Sequence, residues 1–227
     1  MSFHSIAIDG PAGAGKSTIA KTVSSHLSYI YVDTGAMYRA TALFILRNNI
    51  DPDDEKSISE VYDKIDIRLD YIDKEQQIYL NEENVSEIIR SEEVGNAAST
   101  VSKHLIIREK MVELQQKIAE KTSVVMDGRD IGTVVLPKAD LKIYLTASVK
   151  ERARRRYLDL KKKGIDGDID KIKEDIRARD NQDMNRENSP LIQAEDAIEI
   201  DSSNMSIEEV VFSILELFKE KVDINGS

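Results

Sequence analysis

Apolar residues in this chain arrive in short dense runs, in helical rhythm, and in one region in strict alternation. Phe3-His4-Ser5-Ile6-Ala7-Ile8-Asp9 has the density of a short buried strand, and Ile19, Ala20, Val23 and Leu27 then recur at helical spacing. Tyr29-Ile30-Tyr31-Val32-Asp33 predicts a second strand. Thr34-Gly35 predicts a turn, and Ala36, Met37, Ala40, Leu43, Phe44 and Ile45 predict a helix reaching about Arg47. Residues 51–93 break that rhythm. Ile65-Asp66-Ile67-Arg68-Leu69 and Gln77-Ile78-Tyr79-Leu80-Asn81 both alternate, with a polar turn around Asp73-Lys74, which predicts a small antiparallel sheet inserted into the main fold. A helical region follows from residue 94 to about 121, with Val112, Leu114 and Ile118 among its apolar positions. Strands at Ser123-Val124-Val125-Met126-Asp127 and Leu141-Lys142-Ile143-Tyr144-Leu145 come next. After a basic helix or hinged loop, a charged helix is expected from about Asp168 to Arg179. Ala197-Ile198-Glu199-Ile200-Asp201 reads as the last strand, and residues 207–222 as an amphipathic closing helix. Five short strands alternating with helices predict an α/β domain built on a doubly wound parallel sheet. Four of those strands end in a carboxylate, at Asp9, Asp33, Asp127 and Asp201. Ligands of such sheets bind beyond the carboxyl ends of the strands.

Between the first strand and the first helix lies Gly10-Pro11-Ala12-Gly13-Ala14-Gly15-Lys16-Ser17-Thr18, which fits G-x-x-x-x-G-K-[ST] in the strand–loop–helix context of a P-loop. Glycines let the backbone curl with its N–H groups turned inward around a phosphate chain, and the helix that follows adds its positive end. Lys16 is placed to reach the β- and γ-phosphates of ATP, and the Ser17 hydroxyl to ligate Mg²⁺. Asp127, closing an apolar run, is expected to be the second magnesium-holding group; the bland alternative is a helix-capping aspartate. A P-loop identifies a nucleotide and leaves the reaction open.

Composition narrows the class. At 227 residues, with 41% hydrophobic and 33% charged residues, the sequence suits one soluble globular domain with an insert. No apolar run approaches a membrane span, no leader pattern precedes the first strand, and cysteine is absent, so a cytoplasmic location is expected. Net charge of −10 argues against a general nucleic-acid binder. Fifteen acidic and five basic residues between Asp51 and Glu93 account for all of it. Opposite in sign is residues 151–164, with seven basic residues and two acidic ones. No heptad seam demands a partner chain, so a monomer is expected.

Arginines are the candidate positioners of phosphate, because the guanidinium fork matches phosphate oxygens in pairs. Arg39 lies on the second helix, Arg129 beside Asp130 in the turn after the third strand of the alternating series. Arg152, Arg155 and Arg156 share one helical face, and Arg177, Arg179 and Arg186 follow. A mobile lid over ATP is expected at residues 150–167. His4, His26 and His104 are all expected to be structural, so no histidine base is available to a hydroxyl acceptor. A phosphate acceptor is mostly ionised at neutral pH and needs cations instead.

Asp33-Thr34-Gly35-Ala36-Met37-Tyr38-Arg39, Asn96-Ala97-Ala98-Ser99 and Asp127-Gly128-Arg129-Asp130-Ile131-Gly132-Thr133-Val134-Val135 together resemble the bacterial cytidylate kinases. Arg179-Asp180-Asn181-Gln182-Asp183-Met184-Asn185-Arg186, with Ser189-Pro190-Leu191, does so too, and the blocks follow family order over essentially the whole chain. The resemblance implies a nucleoside monophosphate kinase with a five-stranded P-loop NTPase fold, residues 51–93 as the acceptor-binding insert, and transfer of the γ-phosphoryl of ATP to CMP or dCMP. It further implies that Ser99, Arg108 and Asp130 read the cytosine ring, and that Arg39 and Arg129 hold the acceptor phosphate. By the same likeness Thr34, Arg179 and Asp183 contact the ribose, while Arg186 lies near the phosphates and Arg152 and Arg155 belong to the lid. Lys16, Arg129, Arg152, Arg155 and Arg186 are thus the expected catalytic group, with Ser17 and Asp127 on the metal. Thr34 replaces the serine of some members, and Gln182 and Met184 stand where some relatives carry further arginines, which implies differently distributed phosphate contacts.

Two other readings fit the P-loop. One is a kinase of another small acceptor, such as UMP, AMP or shikimate, against which the D-G-R-D and N-A-A-S blocks argue. The other is a nucleotide-dependent switch, which would carry a guanine-reading N-K-x-D motif; the sequence has none.

Overall fold

The structure is a computed structural model and describes residues 3–72, 75–162 and 164–225. In chain order its elements are β1 (Ser5–Asp9), α1 (Lys16–Leu27), β2 (Ile30–Asp33), α2 (Thr34–Arg47), α3 (Glu55–Val61), β3 (Ile67–Ile72), β4 (Glu75–Leu80), β5 (Glu83–Asn84), α4 (Glu92–Val101), α5 (Leu105–Ala119), β6 (Val124–Gly128), β7 (Leu141–Thr146), α6 (Val149–Lys162), α7 (Ile169–Asn185), β8 (Ile198–Asp201) and α8 (Ile207–Asn225). They fall into two compact units, Met1–Tyr31 with Thr122–Ser227, and Val32–Lys121.

The first unit carries the five-stranded sheet, in the order β2-β6-β1-β7-β8. β1 sits in the middle, parallel to β6 with Ser5 opposite Val124, and parallel to β7 with Ile6 opposite Leu141. A central parallel strand is covered on both faces, which is why its sequence is an unbroken apolar run instead of an alternating one. Ile6, Ala7 and Ile8 are wholly buried. Ile19, Ala20 and Val23 of α1 and Val210, Val211, Ile214 and Phe218 of α8 close on Ile6, Ile8, Val125, Leu141, Ile143 and Leu145 in one core. Each of the Val, Leu, Ile and Phe side chains there contributes about 1.5–3 kcal/mol by leaving water. β2 opens on Ile30, whose N–H donates to Ser123 O at 3.0 Å, and the chain then passes into the second unit.

The second unit pairs β3, β4 and β5 antiparallel, with Ile67 opposite Leu80 and Ile72 opposite Glu75. The turn expected at Asp73-Lys74 lies outside the described residues. The acidic segment 51–93 falls within this unit, which also takes in α2, α4 and α5. α2 packs on α4 and on β4. Where the periodicity predicts one helical region over 94–121, the structure has two helices. His104 interrupts it with extended backbone at φ −72°, ψ 124°, and its Nε2 shares a 2.7 Å hydrogen bond with Pro52 O.

α7 also runs further than its apolar pattern indicates. Asp168 starts it by accepting from the N–H groups of Asp170 and Lys171, and it continues to Asn185 instead of stopping near Arg179. The extra turn puts Asp180 and Asp183 on one buried face. The basic segment after β7 is helical over Val149–Lys162.

Candidate active site

The loop from Gly10 to Gly15 needs its glycines for two reasons of geometry, backbone angle and close approach. Gly10, Gly13 and Gly15 have φ of +145°, +77° and +93°. A Cβ on Gly10 would stand 2.0 Å from the Leu145 carbonyl oxygen of β7, so no larger residue passes there. Gly15 leads into α1 with no side-chain cap, leaving the first N–H groups of that helix for an anion. Lys16 is buried, and its Nζ donates to Pro11 O at 2.8 Å, bending the side chain back over the loop. Burial, and then the charge of Arg129, push the Lys16 ammonium well below the ordinary lysine range. The negative charge of a bound phosphate would offset both effects by favouring the ammonium form.

The four strand-ending aspartates separate by role. Asp33 caps α2, accepting from Ala36 N at 2.9 Å, and Asp201 caps the turn after β8, accepting from Ser203 N at 2.9 Å. Asp127 faces the first turn of α1 and the second strand: its Oδ2 accepts from Ser17 Oγ at 3.0 Å and its Oδ1 from Tyr31 Oη at 2.8 Å. Asp9 accepts from Ile131 N at 2.8 Å and Gly132 N at 2.7 Å, inside the first unit. Burial raises the Asp9 carboxyl to about 6, against the lowering effect of those two N–H groups.

Past β6, Arg129 directs its Nε to Asp183 Oδ2 at 2.7 Å. Burial alone would raise Asp183, but the Arg129 guanidinium outweighs it and holds the carboxyl below the usual carboxylate range. Arg186 Nη2 lies 3.7 Å from Asp130 Oδ1, both side chains nearly inaccessible, while its Nε donates to Ser189 O at 2.7 Å. Arg179 is exposed on α7 and adds its charge to the field at Asp183.

Arg152 and Arg155, the arginines expected to belong to a lid, donate to carbonyl oxygens of the phosphate loop. Arg152 is buried; its Nε donates to Ala147 O at 2.8 Å, its Nη1 to Ala12 O at 2.9 Å, and both Nη groups to Asp180 at 3.0 and 2.6 Å. Arg155 Nη1 donates to Ala14 O at 3.3 Å and its Nη2 to Ser202 O at 2.7 Å. Arg154, with Arg155 beside it, pulls the Glu151 carboxyl down to about 2. Pro11 is buried, Gly13 at the middle of the loop is exposed, and Thr18 is exposed on α1.

Four of the expected acceptor residues belong to the second unit. Thr34 is buried in the first turn of α2, and Arg39 Nη2 donates to Asp33 Oδ2 at 3.0 Å. Gln76 of β4 accepts from Asp33 N at 2.8 Å, fixing the hairpin to the start of α2. Ser99 is half-buried on α4. Arg108 is buried, donates to Ser102 O at 3.0 Å and lies over the Tyr38 ring at 5.5 Å. The structure therefore brings the P-loop, Asp127, Arg129, Asp130, Arg152, Arg155, Asp183 and Arg186 together in one unit, and Thr34, Arg39, Ser99 and Arg108 in the other.

The histidines hold structure: His4 stands 3.5 Å from Asp140 with the rings of Tyr29 and Phe218 around it, and His26 Nδ1 shares a 2.9 Å hydrogen bond with Thr22 O. Asp180, Tyr31 and Gln76 are participants that the sequence pattern does not single out. Asp180 has one signal, standing one helical turn before Asp183; Tyr31 and Gln76 carry no such signal. Among the described residues, no group of three or more His, Asp and Glu stands close enough to hold a metal ion, and no helix is long and apolar enough to cross a membrane.

Comparison with known proteins gives the family. Residues 6–220 match the cytidylate kinase family. A cytidylate kinase of Caldicellulosiruptor bescii is 54% identical over 222 residues, 98% of each chain, and one of Bacillus cereus is 51% identical over 213 residues, 94% of this chain and 95% of its own. A gluconokinase from Sinorhizobium meliloti 1021 shares the fold, with a TM-score of 0.51 at 11% identity over 97% of this chain and 94% of that one. With the phosphate loop, the D-G-R-D turn and near-complete coverage in agreement, the chain belongs to the cytidylate kinase family.

Proposed function

We propose that the chain transfers the γ-phosphoryl group of ATP to the phosphate of CMP or dCMP. A phosphate oxygen of the acceptor bonds to the γ-phosphorus, the bond to the bridging oxygen of ADP breaks, and CDP or dCDP and ADP leave. One observation carries this reading. The P-loop and the Asp127-Gly128-Arg129-Asp130 turn leave the carboxyl ends of adjacent parallel strands, with Ser17 Oγ and Asp127 Oδ2 3.0 Å apart. Family membership supplies the acceptor.

Little covalent work falls to the protein in phosphoryl transfer, so its residues position charge. Lys16 swings from Pro11 O to the β- and γ-phosphates, and the N–H groups of Gly13 to Lys16 cradle them. Arg129 and Arg186 neutralise the acceptor and transferring phosphates, with Asp183 orienting Arg129 from 2.7 Å. Asp130 accepts from the exocyclic amine of cytosine, a donor that uracil lacks. Ser99 and Arg108 complete the base contacts, Thr34 and Arg179 the ribose contacts, and Arg39 the acceptor phosphate. Arg152 and Arg155 fix the carbonyl side of the loop, so that its N–H side keeps the curvature of a triphosphate. Residues 150–167 close over ATP from that anchor.

Ser17 and Asp127 offer a hydroxyl and a carboxylate, hard oxygen donors on one line of approach. They fit Mg²⁺, which takes one or two such ligands and completes its shell with phosphate oxygens and water. When bound, the ion would supply positive charge that offsets the negative charge of the phosphate chain.

The test is product identity. With γ-labelled ATP and CMP, label is expected in the β-phosphate of CDP, one ADP formed per CDP. Label released only as inorganic phosphate would overturn the proposal.

A further inference from the structure

Asp130 begins the turn at Ile131–Val135, and its backbone carbonyl accepts from Val134 N at 2.9 Å and Val135 N at 3.2 Å. A turn of this kind leaves its first N–H groups to be satisfied by a capping side chain. Asp130 holds the capping position, yet it makes no capping hydrogen bond. The cap comes from Asp9, 122 residues away in sequence, at the end of β1. Its two oxygens each take one N–H, from Ile131 at 2.8 Å and Gly132 at 2.7 Å, in a fully buried setting. The fit leaves little tolerance: a Cβ on Gly132 would lie 3.3 Å from Asp9 Oδ2 and 3.1 Å from Lys142 Cδ. Asp9 is also the residue before Gly10, so one carboxylate joins the first residue of the phosphate loop to the turn that carries Arg129 and Asp130.

We propose that Asp9 is a positioning residue for acceptor selection, holding the Arg129–Asp130 turn in register with the phosphate loop through its two N–H bonds. The partners of the Asp9 carboxylate here are the N–H groups of Ile131 and Gly132. It acts through the turn, and two short bonds to a charged acceptor fix that turn more stiffly than a neutral cap would. The proposal rests on the reading of Asp130 as the group that meets the cytosine amine.

Asp9→Asn tests it, because the side chain keeps its shape while one oxygen becomes an amide that cannot accept. At saturating ATP, the ratio of kcat/KM for CMP to that for UMP is expected to fall about tenfold, the scale of one lost charge-assisted hydrogen bond. The Kd for ATP without acceptor is expected to stay within about twofold, because the loop's own N–H groups are untouched. A role in stability alone would lower the melting temperature and leave the CMP-to-UMP ratio where it was. If Asp9→Asn fails to fold, Asp9→Ser carries the same measurement. Asp130→Asn, run alongside, separates the two ideas. If it lowers the ratio and the Asp9 variants do not, the positioning role is overturned and the reading of Asp130 stands. If neither variant lowers it, Asp130 is not the base reader and both fall.

Discussion

At the scale of single residues, the chemistry of this chain is decided by which partner each charged group meets. Lys16 is held against Pro11 O and is disfavoured as a cation by burial, a state that a phosphate relieves. Lys16→Ala is therefore expected to lower kcat by about 10²–10³-fold while the circular dichroism spectrum stays unchanged; near-normal turnover would contradict the P-loop assignment. Gly10→Ala presses a methyl group into the Leu145 carbonyl and is expected to destabilise the fold by about 3 kcal/mol or more, read by urea unfolding. Asp9 adds a pH signature. Burial, with a smaller contribution from the Asp130 charge, raises its carboxyl to about 6 in the folded chain, against the ordinary 3.8 when unfolded. The folded state takes up a proton in that window before the unfolded state does, so stability from this site rises as pH falls through it. Relative to Asp9→Asn, the wild type is expected to gain up to about 3 kcal/mol between about pH 7 and pH 4; a flat difference would contradict it. The sequence made the strand-ending aspartates conspicuous but could not sort them, since capping and metal-facing aspartates look alike until their donors are known. Asp9's donors lie 122 and 123 residues away.

At the scale of elements, α6 and α7 carry the arginine-rich machinery, and their pairing decides what those arginines do. Arg152 reaches Ala12 O with one arm of its guanidinium and Asp180 with both, side chains only 4% and 11% exposed. Removing one partner of a buried pair strands the other, so Asp180→Ala is expected to cost about 3–5 kcal/mol in urea unfolding. Arg152→Met with Asp180→Leu is expected to recover most of that loss while ATP binding stays weakened, because the bond to Ala12 O is gone. Equal recovery of ATP binding would show that the arginine serves stability only. The arginine cluster was visible as charge at helical spacing. The reach of α7 was not, because its last turns are polar on most sides, and only burial of Asp180 and Asp183 marks them as part of a packed face. In the same way, periodicity ran through residues 102–104, where the hydrogen bond between His104 and Pro52 ends one helix and begins the next.

For the whole molecule, the alternation of apolar runs with amphipathic stretches was enough to give the five strands and the parallel sheet. The order β2-β6-β1-β7-β8 was not, since nothing local tells β1 that its neighbours come more than a hundred residues later. Charge divides by unit, and that division is legible along the chain: the acidic excess of residues 51–93 lies in the second unit, and the phosphate loop in the first. The expected acceptor residues divide between the units in the same manner, and preference for a cytidine acceptor is the property they are expected to confer. Initial rates of ADP release with ATP and Mg²⁺, comparing CMP, dCMP, UMP and AMP, test that property most directly. Rapid turnover of CMP and dCMP, slow turnover of UMP and none of AMP is the predicted result. Faster turnover of AMP or UMP than of CMP would leave the P-loop and the fold standing and contradict the assignment of Asp130, Ser99 and Arg108 to the cytosine ring.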